Sequence, residues 1–255
     1  MIPITRVALP VPVSRSLERR TKNLQLIPQA QRTEIARSRW RMASELRRQL
    51  LAVLATMAHG RNCCNYCSDS LGTDVDHYCP IAEDPLSTFE WRNHLLACSR
   101  CNSHAKRDIF PRDATGTPLI IDPTAEDPWD HLRLTPSTGE YVAMTEKGRT
   151  TKELLLDTDL LARGRQAAWL DVSEHVAAHY RAVLSHDSAG ALVRQFRLLQ
   201  RPNLDAFYAM LRWSEIPSAS VLFEEDCLKA LNDLPDIYRS WLSLGPRPTG
   251  RVASG

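Results

Sequence analysis

No stretch of this chain is apolar for long enough to span a bilayer. Its first residues, Met1-Ile-Pro-Ile-Thr-Arg6, lack the basic start and apolar run of a secretory leader. The expected compartment is therefore the cytoplasm, with no membrane partner. In that reducing setting seven cysteines point to bound metal rather than disulfides. Signatures of several enzyme classes are missing too. Gly245–Val252 offers Gly-Arg where a phosphate loop needs Gly-Lys-Ser/Thr, and no Gly-x-Ser-x-Gly elbow occurs. His175 and His179 share a helical spacing, but Glu174 precedes the pair, so no His-Glu-x-x-His site results. Internal repeats and low-complexity tracts are also lacking. What remains is a globular composition, 43% hydrophobic and 24% charged over 255 residues, enough for one or two domains.

Acidic residues are scarce at one end. Residues 1–62 carry twelve Lys/Arg against three acids, a local balance of +9 that leaves −7 for the rest of the +2 chain. A basic arm on an acidic body is consistent with a polyanionic ligand near the N-terminal end.

Proline, glycine and apolar spacing give the expected elements. Residues 1–14 read as extended. Ile35, Met42, Leu46, Leu50, Val53 and Met57 recur at helical intervals, which predicts one helix over 33–57 with its arginines outward. A short strand is expected at 73–78 and a helix from about 99 to 109. Strands are expected at 119–121, 131–134 and 141–144. Helices follow at 157–187, 189–200, 203–214 and 221–243, before a Gly/Pro-rich tail at 245–255. The expected divisions are a basic arm at 1–62, a cysteine-rich core at 63–150 and a helical region at 151–255.

The chemistry is concentrated between Cys64 and Asp108. Cys64-Asn-Tyr-Cys67 and Cys98-Ser-Arg-Cys101 are two turns whose paired thiolates suit one tetrahedral Zn2+. The 30 residues between them require a folded unit there. Cys63 adjoins the first turn, but Cys64 has the right spacing; Cys79 and Cys227 read as core thiols. Between the turns lie Asp76-His77 and Asn93, and Asn102 follows the second. Phosphodiester hydrolysis needs a base for water and a hard cation for the phosphate. His77 suits the first task, and the oxygens of Asp76 and Asn102 suit Mg2+ or Mn2+. Successive strand residues point to opposite faces, so Asp76 and His77 can share a phosphate only where the strand bends or ends. Asn93 is expected to hold the imidazole in its working tautomer. Arg100, His104, Lys106 and Arg107 are the candidate phosphate contacts, and His104 is also near enough to enter the metal shell.

This stretch, CxYC then VDHYxP then WxNxLxxCxxCNxxxKxDxFP, resembles the HNH endonucleases of the zinc-binding subset. The resemblance implies an α+β, mostly helical chain built on a zinc-stapled ββα-metal core. It makes His77 the general base, Asp76 and Asn102 the ligands of the catalytic ion, and Asn93 the residue that positions the base. Met-x-x-Ile-x-Arg at the start, LIIDPTAEDPWDHL and GRTTKELLLDTDLLARGR are similar to the HNH proteins of retron-associated and Septu-type anti-phage systems. That similarity implies a nucleic-acid substrate, DNA above all, and a companion ATPase. Two departures stand out. Asn102 and Lys106 are one residue further apart than the usual CNxxK, and His94 replaces an apolar residue. The rival reading is a zinc-structured nucleic-acid-binding module or adaptor that cleaves nothing.

Overall fold

The computed structural model describes residues 1–244; the 245–255 tail lies outside the described residues. The arm is helical almost from its start: α1 (Val11–Gln25), α2 (Gln29–Met42) and α3 (Ser44–Met57) follow one another closely. The expected extended start ends at Pro10. Prolines at the mouth of α1 favour the helix instead of breaking it, because a first-turn N–H has no partner to lose and φ is already set. The single helix expected over 33–57 is also corrected. It parts at Ala43, whose φ of −89° and ψ of 46° leave the helical region. Leu46, Leu50, Leu54 and Met57 of α3 are buried, whereas Met42 is 74% exposed. α2 buries only Ala36 fully and lies across the surface.

The cysteine-rich centre is a two-stranded antiparallel sheet, β1 (Asp74–His77) and β2 (His94–Ala97), followed by a helical turn over Arg100–Lys106. The register pairs Asp74 with Ala97 and His77 with His94. Further on, β3 (Leu132–Leu134) and β4 (Tyr141–Ala143) form a hairpin near their expected positions. The strand expected at 119–121 is absent: Ile120 and Ile121 are buried in irregular chain next to an isolated bridge between Arg112 and Pro118. A short α4 (Glu146–Thr151) leads to α5 (Asp159–Leu184), α6 (Ser188–Leu199) and α7 (Asp205–Trp213). The last expected helix is two, α8 (Glu225–Asp233) and α9 (Pro235–Trp241). Pro235 cannot donate to the preceding turn and so opens a new helix. The fold is mostly helical α+β, as the sequence implies.

One core joins Met1 and Ile2, the four clustered cysteines, Leu95, Trp169, Phe207 and Tyr238. It draws on residues either side of 62 and 150. Beneath it, buried Asp205 gathers the Met1 ammonium at 2.9 Å, Tyr141 Oη at 2.7 Å and Arg165 Nε at 3.3 Å. A second core packs the arm, through Leu17, Leu24, Leu46 and Leu50, on Phe89 of the loop before β2. Leu50 is fully buried there. Leu50→Ala should lower the unfolding free energy by about 2–5 kcal/mol, the usual span for an emptied leucine site, as read by urea denaturation.

Candidate metal and catalytic centres

The two Cys-x-x-Cys turns meet as their spacing predicts. The Sγ atoms of Cys64, Cys67, Cys98 and Cys101 all lie within 4.8 Å of one another, and all four residues are buried. Cys67 and Cys98 sulfurs are 3.9 Å apart. Tetrahedral zinc with Zn–S bonds of about 2.3 Å sets its sulfurs about 3.8 Å apart, so the cluster fits that ion without rearrangement. Hydrogen bonds from the neighbouring thiols hold Cys98 below the ordinary thiol value, toward the thiolate a metal needs. Cys63 is outside the cluster, and burial pushes its thiol up to about 11. Asn65 fastens the first turn to β2: its N–H donates to Leu96 O and its Oδ1 accepts from Leu96 N, both at 2.8 Å.

His77 ends β1, and there the alternation of faces lapses. Asp76, His77 and Asn102 line one cavity of about 250 Å³, together with Arg37, Arg107 and Asp108. His77 is held by groups that sequence did not single out. His77 Nε2 lies 3.0 Å from the Thr88 carbonyl. A carbonyl only accepts, so Nε2 carries the proton and Nδ1 keeps its lone pair. Nδ1 makes no hydrogen bond among the described residues. Burial, aided by Lys106, lowers the imidazole to about 4 against the opposing pull of the carbonyl, so it is neutral near pH 7. Trp40 of α2 meets the ring edge-on at 4.5 Å and stacks on His94 at 5.3 Å. His94 is fully buried, donates from Nε2 to the same Thr88 oxygen at 3.0 Å and is kept neutral by burial. It fills the apolar position it replaces as an uncharged ring.

Asn93 makes no hydrogen bond to the imidazole among the described residues. Its amide donates to Cys79 O at 3.0 Å and Ser87 Oγ at 3.0 Å and accepts from Cys79 N at 2.7 Å. It closes the loop that presents Thr88, and so acts on His77 at one remove. Arg6 does similar work from the arm, donating to the carbonyls of Trp91, Arg92 and His94 at 3.1, 2.6 and 3.0 Å.

Asp76 is 2% exposed. It accepts from Tyr66 Oη at 2.6 Å and faces Lys106 Nζ, which is 3.2 Å from each carboxylate oxygen. Burial pushes the carboxyl above its ordinary range while Lys106 and Tyr66 pull it back. Lys106 is itself fully buried and also donates to His77 O at 2.6 Å. Expected as a substrate contact, it is instead a buried counter-ion. It reaches Asp76 despite the extra residue because Arg100–Lys106 is a π-turn, closed by Arg107 N donating to Asn102 O at 2.8 Å. Four steps of this wider turn rotate by roughly 330°, close to the roughly 300° of three α-helical steps. The insertion is absorbed as turn width.

Asn102 Nδ2 donates to Asp74 Oδ2 at 3.2 Å, which leaves Asn102 Oδ1 as its free donor atom toward a cation. Asp74 shares the Asp76 face of β1, two residues earlier, and is a third oxygen source that the sequence signalled only by its alternation. This set fits a hard cation, since a carboxylate retains lone pairs beyond two hydrogen bonds. Arg100 is turned away: it donates to Leu155 O at 3.1 Å and ties the second cysteine turn to the segment before α5. His104 Nδ1 contacts Ser99 O at 3.1 Å and is not part of the cavity wall.

Purified protein should carry one zinc per chain by metal analysis. Cys98→Ser should lose both zinc and solubility, whereas Cys63→Ser should keep both. Lys106→Met strands a buried carboxylate and should cost about 3–5 kcal/mol of stability; replacing an ordinary substrate-contacting surface lysine would cost almost none, and urea unfolding separates the two.

No family model matches the chain, and no solved structure matches it. Among curated proteins it is similar to the Septu protein PtuB of Bacillus thuringiensis, with 31% identity over 109 residues. The match covers 40% of this chain and 39% of that protein, so the chain spans well under half the length of the relative it matches.

Proposed function

We propose that this chain is a metal-dependent endonuclease of the HNH type, hydrolysing phosphodiester bonds of nucleic acid, DNA above all. The observation that carries this reading is the convergence of His77, Asp76 and Asn102 on one cavity beside a four-cysteine cluster. Asp76 and Asn102, with Asp74 adjacent, would hold Mg2+ or Mn2+. When bound, that ion supplies positive charge for the phosphate and the departing oxygen. His77 Nδ1 takes the proton from the attacking water, and the Thr88 carbonyl stabilises the imidazolium that forms. Lys106 screens the Asp76 carboxylate and fixes the backbone of the base through His77 O. Hydrolysis leaves a 5′-phosphate, as the resemblance implies. Arg107 lines the cavity and is exposed, which makes it the best placed of the four candidate phosphate contacts.

The similarity to the Septu protein PtuB supports a role as effector of an anti-phage defence system. The family resemblance of the sequence implies a companion ATPase, with the helices after residue 151 as its candidate docking surface. The non-cleaving reading draws on one observation, that Asp76 is already engaged by a buried ammonium and a phenol. Plasmid cleavage decides between them. With Mg2+ or Mn2+ the wild type should cut, alone or with its companion, and His77→Ala should lose cleavage by a factor of about 100 or more while keeping zinc and DNA affinity. Wild-type protein that never cuts under either ion would be the binding module.

The pH profile is a second test. A base lowered to about 4 stays unprotonated from pH 5 to 8. Activity should therefore be lost only as pH falls through that lower value. An acid limb near the ordinary imidazole value of about 6.5 would place the active base in a wetter setting than this one.

A further inference from the structure

We propose that Arg37 of α2 is a phosphate-binding residue of this cavity, and that Asp108 occupies it as a built-in substitute for the phosphate until nucleic acid displaces the carboxylate. The inference deepens the nuclease reading and rests on it. Arg37 Nη2 donates to Asp108 Oδ2 at 2.9 Å, and both side chains line the cavity that holds Asp76, His77 and Asn102. The two sides of this bridge come from distant parts of the chain, the arm and the turn after the π-helix.

Each side is fixed independently. Trp40, three residues after Arg37 on α2, bears on the His77 ring, so the helix that carries the guanidinium is registered against the base. On the other side Arg107 adopts a φ of 48° and a ψ of −123°, a conformation non-glycine residues avoid. That kink turns the chain sharply at the end of the π-turn, where Asp108 follows. Two guanidinium groups, Arg37 and Arg107, thus face one cavity. Deeper in, Asp76 is neutralised by Lys106. Asp108 is the acid that faces the guanidinium of Arg37 at the cavity rim.

Magnitudes favour exchange. The bridge is half exposed, 47% for Arg37 and 65% for Asp108, and a solvent-screened pair of this kind holds weakly. A single Nη2 bond leaves most of the guanidinium donors available, and their fork matches two oxygens of a phosphate better than one carboxylate oxygen. A backbone phosphate therefore displaces Asp108 at small cost. The same substitution would release α2 from the turn after the π-helix just as substrate arrives.

A bridge that merely pins the arm predicts the same sign of effect for either partner. The phosphate role predicts opposite signs. The experiment is fluorescence anisotropy of a labelled DNA duplex over a salt series, in the non-cleaving His77→Ala background, with zinc content as the check on folding. Arg37→Ala should weaken binding about five- to twentyfold and reduce the slope of log affinity against log salt by about 0.9. Arg37→Lys should restore the slope but only part of the affinity. Asp108→Asn should tighten binding about three- to tenfold, a gain that shrinks to that of the control Glu83→Gln once Arg37 is alanine. Equal gains with and without Arg37, losses from both single variants, or a background protein that binds no DNA would each overturn the proposal. Because no arm depends on turnover, failure of wild-type cleavage bears on the nuclease reading separately.

Discussion

Four sulfurs crowded within 4.8 Å set the geometry on which everything else is built. Without a cation such a cluster is unfavourable once its sulfurs ionise, since thiolates repel; with one it binds two distant turns at a stroke. Cys98 follows β2 directly, and Cys64–Cys67 is clipped to β2 through Asn65. The cluster therefore fixes where the strand pair ends and where the π-turn begins. Asn102 and Lys106 stand on that turn, and Asp74, Asp76 and His77 on the strand it faces. Loss of the sulfurs would release every oxygen and nitrogen the cavity requires.

Sequence revealed the donor types and concealed their supports. The cysteine spacing, Asp76-His77 and Asn102 were legible because each belongs to a short motif with its own chemistry. Thr88 was not, since it acts through its backbone carbonyl, which every residue possesses. Trp40 reaches His77 from a helix 37 residues away, and no local pattern announces such a contact. Arg6 was visible as part of a similarity at the start of the chain, but not what it holds, the three carbonyls leading into β2. Helices after 151 were legible from periodicity and were misjudged only where a single residue overrode it, as at Pro235. The break at Ala43 has no such marker. It serves packing: α3 follows its leucines into the core, while α2 lies across the surface with Trp40 on the imidazoles.

The buried Lys106 shows why spacing alone misleads. One inserted residue in an α-helix would swing a lysine about 100° off its target. Here the backbone widens into a π-turn instead, and the ammonium still arrives 3.2 Å from Asp76. Widened turns are costly, and they persist where something holds them. Two things do so here, the four-cysteine cluster at one end and the buried ion pair at the other. The pair is costly to desolvate and costlier to break, so its worth lies in fixing one arrangement of strand and turn more than in added stability.

Basic charge then acquires a direction. The arm carries +9, yet its cations are not equivalent. Arg6 is spent on backbone carbonyls and Arg48 on Glu45 of its own helix. Arg37 alone among these three reaches the cavity. On the proposed reading, a polyanion drawn by the field of the whole arm would meet, at the point where His77 stands, a guanidinium that a half-exposed carboxylate holds. Long-range attraction in such an arrangement would need no sequence readout to bring a phosphate to His77, because the proposed exchange of one oxyanion for another on Arg37 would end the approach where the proposed chemistry begins.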